Sequence, residues 1–95
     1  MVREGDLVAI FNSIHRVMKA EKILKERRLN ILLIPAPRSL QSDCGLAIRY
    51  AEADREVVEG TLSEADLLPE ERYRKTGEEY VRIAEREAPS AKVER

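Results

Sequence analysis

Hydrophobic and polar residues follow two periodicities along the first half of the chain. Short apolar runs bounded by turn residues predict buried strands over 6–11 and 30–35, and apolar residues that alternate with Ala and Arg predict a third strand over 45–50. Between the first two strands, apolar residues recur at helical spacing and predict a helix over 14–29. The residues just before it, "NS", are good helix caps.

The second half of the chain carries weaker patterns. Apolar spacing predicts a second helix over 53–67. Residues 80–84 alternate like a strand after a turn at 76–77, so we expect the last strand there, although the Glu and Arg content also suits a helix. Residues 88–95 are predicted to be a polar tail, which leaves 1–87 as a single domain.

The predicted order β-α-β-β-α-β indicates an α+β fold. We expect a ferredoxin-like two-layer sandwich, with a four-stranded antiparallel sheet and two helices on one face. Both faces of the first two strands are apolar, because Val8, Ile10, Leu32 and Ile34 alternate with the residues that would face the helices. A two-layer sandwich covers only one sheet face, so we expect a homodimer through the other.

Composition narrows the possible partners. The 17 Lys and Arg residues balance the 18 Asp and Glu residues and are interspersed with them, whereas nucleic-acid binders show a basic face. The first residues, "MVREGDLVAIF", predict neither a signal peptide nor a membrane span, so we expect a cytoplasmic protein that binds neither nucleic acid nor membrane. One Cys and one His cannot complete a zinc site alone, and we expect no metal or cofactor.

The only cysteine, Cys44, lies between a loop of turn residues and the third predicted strand. In the predicted topology this loop and the start of the first helix lie at the same end of the domain. A helix N-terminus offers free N–H groups and partial positive charge, which favour a thiolate. His15, Arg38 and Arg49 could add positive charge near the thiol.

A structural role fits the same residues. Cysteine is among the most often buried residue types. Gly45 suits an anion-holding loop at positive φ but equally suits a hairpin bulge, and Ser42 is an ordinary turn former. Arg49, which the alternation of the third strand places on the sheet face opposite to that of Leu46, could be an interface residue. Chemistry and packing therefore both remain open for Cys44 on physical grounds.

Two segments resemble a known family. "FNSIHRVMKAEKILKE" and "IPAPRSLQSDCGLAIRY" are similar to the DUF3343 family of selenium/sulfur carrier-like proteins, over about residues 7–84. The most specific part is P-x-P-R, a short gap, then S-x-C-G-L-A-[LI]-R. The stretch "PEERYRKTGEEYVRI" departs from the usual Gly-rich approach to the last strand, and the chain lacks the C-P-x-P motif of TusA-type sulfur carriers.

The resemblance implies a carrier without its own turnover, in which Cys44 holds a persulfide or selenosulfide and passes the terminal atom on. A cysteine desulfurase-like protein or a sulfur-relay protein would be the donor. The residues expected to bind the anion or substrate are Arg38, His15, Ser42, Gly45 and Arg49. The alternatives are a non-catalytic dimeric regulatory or protein-interaction module in which Cys44 is structural, and a redox sensor that joins Cys44 of two chains.

Overall fold

A computed structural model describes residues 2–84, which form two helices and an antiparallel sheet. The elements in chain order are β1 (Leu7–Ile10), α1 (Ile14–Glu26), β2 (Ile31–Pro35), β3 (Leu46–Tyr50), α2 (Arg55–Glu64), β4 (Glu71–Thr76) and β5 (Glu79–Arg82). A short 3₁₀ turn precedes α2. Neither helix in this part of the chain is long and apolar enough to cross a membrane. The α+β prediction is confirmed, whereas the predicted tail over 88–95 and the domain end at 87 lie outside the described residues.

Local backbone and side-chain interactions determine where α1 begins and ends. At the start of α1, the Ser13 hydroxyl accepts a hydrogen bond from the Arg16 N–H at 3.1 Å, so Ser13 is the cap. The helix was predicted to reach Leu29 but ends earlier, because Arg28 adopts a left-handed φ of 62° and the Leu29 N–H returns to the Leu24 carbonyl.

The sheet has the order β2-β3-β1-β4-β5, and every neighbouring pair is antiparallel. The prediction of four strands is wrong, since the segment 71–82 forms a two-stranded hairpin around Gly77, whose φ is 63°. The strand β4, "ERYRKT", contains no aliphatic residue, although it lies inside the sheet between β1 and β5. On its helix side, β4 carries Arg72 and Arg74, which form ion pairs with Glu59 and Glu52. This strand therefore has no apolar alternation by which the sequence could predict it.

Both helices pack on the same sheet face and bury one continuous core there. We name this core the helix-side cluster; its buried members are Leu7, Ala9, Phe11, Val17, Ala20, Leu24, Ile31, Ile48, Tyr50, Val58, Leu62, Leu67 and Ile83. Residues of β1 and β3 occupy its centre, because these strands lie inside the sheet under both helices. The prediction of two helices on one face is confirmed.

The second sheet face is not the open apolar surface that the sequence predicted. Val8, Ile10 and Ile34 on that face are 0%, 3% and 2% exposed, although no helix covers them. The chain covers this face with its own residues: Val2, Ala36, Leu40, Tyr73 and Tyr80. Only Leu32, at 41% exposure, remains open among the four apolar residues expected there. The argument for a dimer across this face therefore loses its physical basis, and the oligomeric state stays a prediction.

Candidate functional site around Cys44

The loop that carries Cys44 is closed at its base by the sheet. Ala36 donates to the Gly45 carbonyl at 2.9 Å, which extends the β2–β3 ladder by one residue pair. Within the loop, Leu40 donates to the Pro37 carbonyl at 3.0 Å and closes a tight turn. The ten residues between the strands therefore form a compact loop that rejoins the sheet at Gly45, directly after Cys44.

The thiol of Cys44 is half-buried and contacts oxygen atoms. Its Sγ lies 3.4 Å from the Leu46 carbonyl oxygen and 3.6 Å from the Phe11 carbonyl oxygen, and both carbonyls can accept the S–H hydrogen. The side chain also packs against the helix-side cluster. Because a carbonyl oxygen can only accept, the S–H group is the donor in both contacts, and a nucleophilic step requires that this hydrogen leave.

The predicted proximity of Cys44 to the start of the first helix is confirmed at the level of the chain. Phe11, whose carbonyl faces the thiol, is two residues before the cap Ser13. No backbone N–H of α1 is among the described hydrogen-bond partners of Sγ, whose neighbours are the two carbonyls and the Ser42 hydroxyl. Stabilisation of a thiolate by the helix N-terminus thus stays a prediction.

Ser42 and Gly45 lie on either side of Cys44 in the loop and are joined by a hydrogen bond. The Ser42 hydroxyl accepts a hydrogen bond from the Gly45 N–H at 3.1 Å and lies 3.7 Å from the Cys44 sulfur. Gly45 has a φ of 74°, so the expectation of positive φ there is confirmed. This backbone conformation turns the chain into β3 while keeping Ser42 beside the sulfur.

Gly45→Ala is expected to lower the free energy of unfolding by about 1–2 kcal/mol, because an L side chain is strained at positive φ. No atom lies within 4 Å of the added Cβ, so backbone strain alone is measured. Urea denaturation gives the value. The matched control is Gly60→Ala within α2, where the Cβ also meets open space and φ is helical, and which should stabilise by about 0.5–1 kcal/mol. Equal effects of the two substitutions would contradict the description of Gly45.

Two of the predicted cations are exposed. His15 lies in the first turn of α1, and Arg38 lies in the loop between β2 and β3. Neither forms a hydrogen bond or an ion pair with another residue in the range 2–84. No described contact joins either side chain to Cys44, so their role as anion-binding residues remains a prediction.

Arg49 belongs to the other side of the sheet. It pairs across the strands with Val8 and Leu32, and its Nη1 lies 3.4 Å from Asp6 Oδ2. Cys44 packs on the helix side, so the expectation that Arg49 adds charge beside the thiol is wrong. The alternation of β3 is the reason, because Arg49 has the opposite orientation to Ile48 and Tyr50 of the helix-side cluster. The predicted placement of Arg49 opposite Leu46 is confirmed by the same alternation.

A buried polar network was missed at the sequence level. Glu59 of α2 is 4% exposed and accepts from the Tyr50 hydroxyl at 2.6 Å and from Arg72 Nη1 at 2.7 Å. Arg55, one helical turn earlier, approaches the same carboxylate at 3.4 Å. Glu is almost never fully buried unless it is paired, so residue type alone gives no reason to place Glu59 inside the protein. The available signal was the i,i+4 pair of Arg55 and Glu59, which shares the side of the helix that carries Leu62.

The buried network raises the pKa of the Tyr50 hydroxyl. Burial, followed by the nearby Glu59 carboxylate and the hydrogen bond to it, raises the pKa of Tyr50 far above its ordinary value of 10.0. Tyr50 therefore remains a neutral donor to Glu59 at neutral pH. The network connects β3, α2 and β4, and its members lie on the helix side of the sheet.

Metal binding finds no support among the described side chains. No group of three or more His, Cys, Asp or Glu residues within 2–84 is placed to hold an ion. The expectation of no metal and no cofactor stays a prediction. The chemistry of this site is that of one thiol, one hydroxyl and backbone carbonyls.

Comparison with known proteins identifies a family. No curated protein and no solved structure matches the chain. A family model described as "Putative Se/S carrier protein-like" matches residues 6–74, a range that includes β1, both helices, Cys44 and most of β4. This match spans well over half of the chain and agrees with the resemblance carried by the motif around Cys44. The chain belongs to the Se/S carrier protein-like family.

Proposed function

We propose that the protein is a sulfur or selenium carrier that holds its cargo on Cys44. The observation that carries this proposal is the family match, which covers the loop and the only cysteine of the sequence. The half-buried position of Cys44 supports it, since a carrier must expose its sulfur to a donor and shield the bound atom from solvent reductants. A reducing cytoplasm is the setting we propose for such a thiol.

The transfer step conserves atoms and electrons. Cys44 loses its proton and attacks the terminal sulfur of a donor persulfide, R–S–SH. The new S–S bond forms on Cys44 as the S–S bond of the donor breaks, and the donor leaves as R–S⁻, which takes up the released proton. With a donor selenosulfide, R–S–SeH, the same displacement would leave Cys44 with an S–SeH group. The donor class we propose is a cysteine desulfurase-like protein or another sulfur-relay protein.

Neighbouring groups have distinct parts in this proposal. The carbonyls of Phe11 and Leu46 accept the S–H hydrogen and fix the position of the Cys44 side chain. The Ser42 hydroxyl hydrogen is directed to no other described acceptor and can donate to the sulfur once the proton has left. Arg38 and His15, both exposed, would attract an anionic donor to this end of the domain.

We also propose that the fold is ferredoxin-like. The first four strands have the order β2-β3-β1-β4 and are antiparallel throughout, as a β-α-β-β-α-β sandwich requires. The strand β5 extends this sheet beyond β4. In this arrangement the loop after β2 and the start of α1 share one end of the domain, where the Cys44 sulfur meets Phe11.

Incubation with a cysteine desulfurase and cysteine, followed by intact-mass spectrometry, tests the carrier proposal. The expected result is a gain of one sulfur atom per chain that dithiothreitol removes and that Cys44→Ser abolishes. Arg38→Ala and His15→Ala should slow loading several-fold, whereas Arg27→Ala, at the far end of α1, should not. A chain that stays unloaded while Cys44 reacts with iodoacetamide would refute the proposal.

A second candidate function has one observation in its favour. The Cys44 sulfur packs against the helix-side cluster and satisfies its hydrogen on backbone carbonyls, as a structural cysteine does. The chain would then be a regulatory or protein-interaction module without a covalent step. In that case Cys44→Ala would leave the binding partners recovered by cross-linking unchanged and would alter only stability. Loss of the same partners would favour the carrier.

A further inference from the structure

The two edges of the sheet differ in their capacity to pair with another strand. At the β2 edge, the hydrogen bond from Ala36 to Gly45 sets the phase, so the backbone groups of Ile31, Leu33 and Pro35 point away from the sheet. Pro35 has no N–H, and the Ile31 N–H is already bonded to Leu29 at 3.0 Å. A single outward donor, that of Leu33, remains, which makes this edge a poor template for pairing.

The β5 edge is open by the same criterion. Ile83 donates to the Arg72 carbonyl at 2.8 Å, so Val81 bonds to β4 while Tyr80 and Arg82 direct their N–H and C=O groups outward. No residue within 2–84 hydrogen bonds to these four outward groups. The edge thus presents two donors and two acceptors in the phase of an antiparallel ladder.

The side chains along β5 are complementary to a second copy of themselves. In an antiparallel pairing with its two-fold axis at Val81, each Val81 would lie directly opposite its counterpart, and its side chain is 49% exposed in the single chain. Tyr80 would lie opposite the counterpart of Arg82, whose side chain is 66% exposed. Glu79 would lie opposite Ile83, so no like charges would face each other.

We infer that β5 pairs with β5 of a second copy of this chain and forms a continuous ten-stranded antiparallel sheet. Four backbone hydrogen bonds would connect the copies, two from Tyr80 and two from Arg82. This inference goes beyond the proposed carrier function and does not depend on it. Cys44 lies just before β3, and the strands β1 and β4 separate β3 from β5 in the sheet. Pairing through β5 therefore leaves the thiols of both copies accessible.

Sedimentation velocity of the full chain over a range of micromolar concentrations tests the inference. We expect a species of twice the chain mass that Val81→Lys converts to single chains, because two ammonium groups would then lie directly opposite each other. Leu32→Lys, at a similarly exposed apolar residue of the other edge strand, should leave the larger species intact. Circular dichroism establishes that both variants are folded.

A cross-linking experiment examines the register itself. In a Cys44→Ser background, Val81→Cys should form an intermolecular disulfide rapidly under diamide, because residues opposite each other at a non-hydrogen-bonded pair lie closest. Glu79→Cys, two residues away on the same face, should cross-link at least tenfold more slowly. A single-chain mass at all concentrations would overturn the inference. Equal cross-linking at both positions, or loss of pairing in Leu32→Lys alone, would overturn it as well.

Discussion

Replacing Glu59 with alanine is expected to lower the free energy of unfolding by about 3–5 kcal/mol. The substitution removes the carboxylate that accepts from Tyr50 and Arg72 and leaves the Arg72 guanidinium, 11% exposed, without its buried counter-charge. Because small domains have about 5–15 kcal/mol of total stability, this one change should bring the protein close to unfolding. Equilibrium urea denaturation followed by circular dichroism measures the change.

Two controls separate the buried charge from charge in general. Glu64→Ala removes a carboxylate that is 72% exposed and pairs with Arg27 at 3.4 Å, and it should cost no more than about 1 kcal/mol. In the double variant Glu59→Leu with Arg72→Leu, both charges of this pair are gone and Arg55 keeps Glu52 as an ion-pair partner, so much of the lost stability should return. If the double variant is no more stable than Glu59→Ala, the uncompensated arginine is not the cause.

Phe11→Ala is the other change with a large expected effect, about 3–5 kcal/mol of destabilisation. The Phe11 side chain is 1% exposed within the helix-side cluster, so its removal leaves a cavity under the helices. The Phe11 carbonyl also lies 3.6 Å from the Cys44 sulfur. Loosening of this backbone should therefore increase the rate at which iodoacetamide alkylates Cys44 in the folded protein. Urea denaturation and alkylation kinetics measure the two effects.

Comparison with Val57→Ala makes this expectation specific. Val57 is 47% exposed on α2, so its truncation should change stability by no more than about 0.5 kcal/mol and leave the alkylation rate unchanged. If Phe11→Ala costs as little as Val57→Ala, the packing at the start of α1 is not as described. A large stability loss with no change in alkylation rate would show that the thiol does not depend on the Phe11 backbone.

Local patterns predicted the elements whose apolar periodicity is complete. The helix α1 and the strands β1, β2 and β3 each carry apolar residues at the spacing of their own geometry, and each was predicted within a few residues. The helix α2 was predicted to extend to residue 67 but ends at Glu64, because Asp66 adopts a φ of 59° and reverses the chain. A left-handed non-glycine residue at a helix end has no strong sequence signal.

The candidate site was predictable where its parts are close in sequence. Ser42, Cys44 and Gly45 lie within four residues, and a Gly at positive φ brings the other two together. The contact between Cys44 and the Phe11 carbonyl was predicted only as proximity to the start of α1. The topology shows which segments meet at one end of the domain but does not show which atoms are in contact. The alternation of β3 predicted the face of the sheet that carries Arg49, whereas the distance of Arg49 from the thiol followed only from the position of Cys44 on the helix side.

The sequence by itself determined the α+β class, the family, and the loop that presents Cys44, since periodicity, turn residues and a contiguous motif are local properties. Only the tertiary structure decided the fifth strand, the covering of the second sheet face and the buried network around Glu59. The physical reason is the same in each case. Arg72, Tyr73 and Glu59 look like solvated surface residues until residues distant in the chain supply their charge partners and apolar contacts.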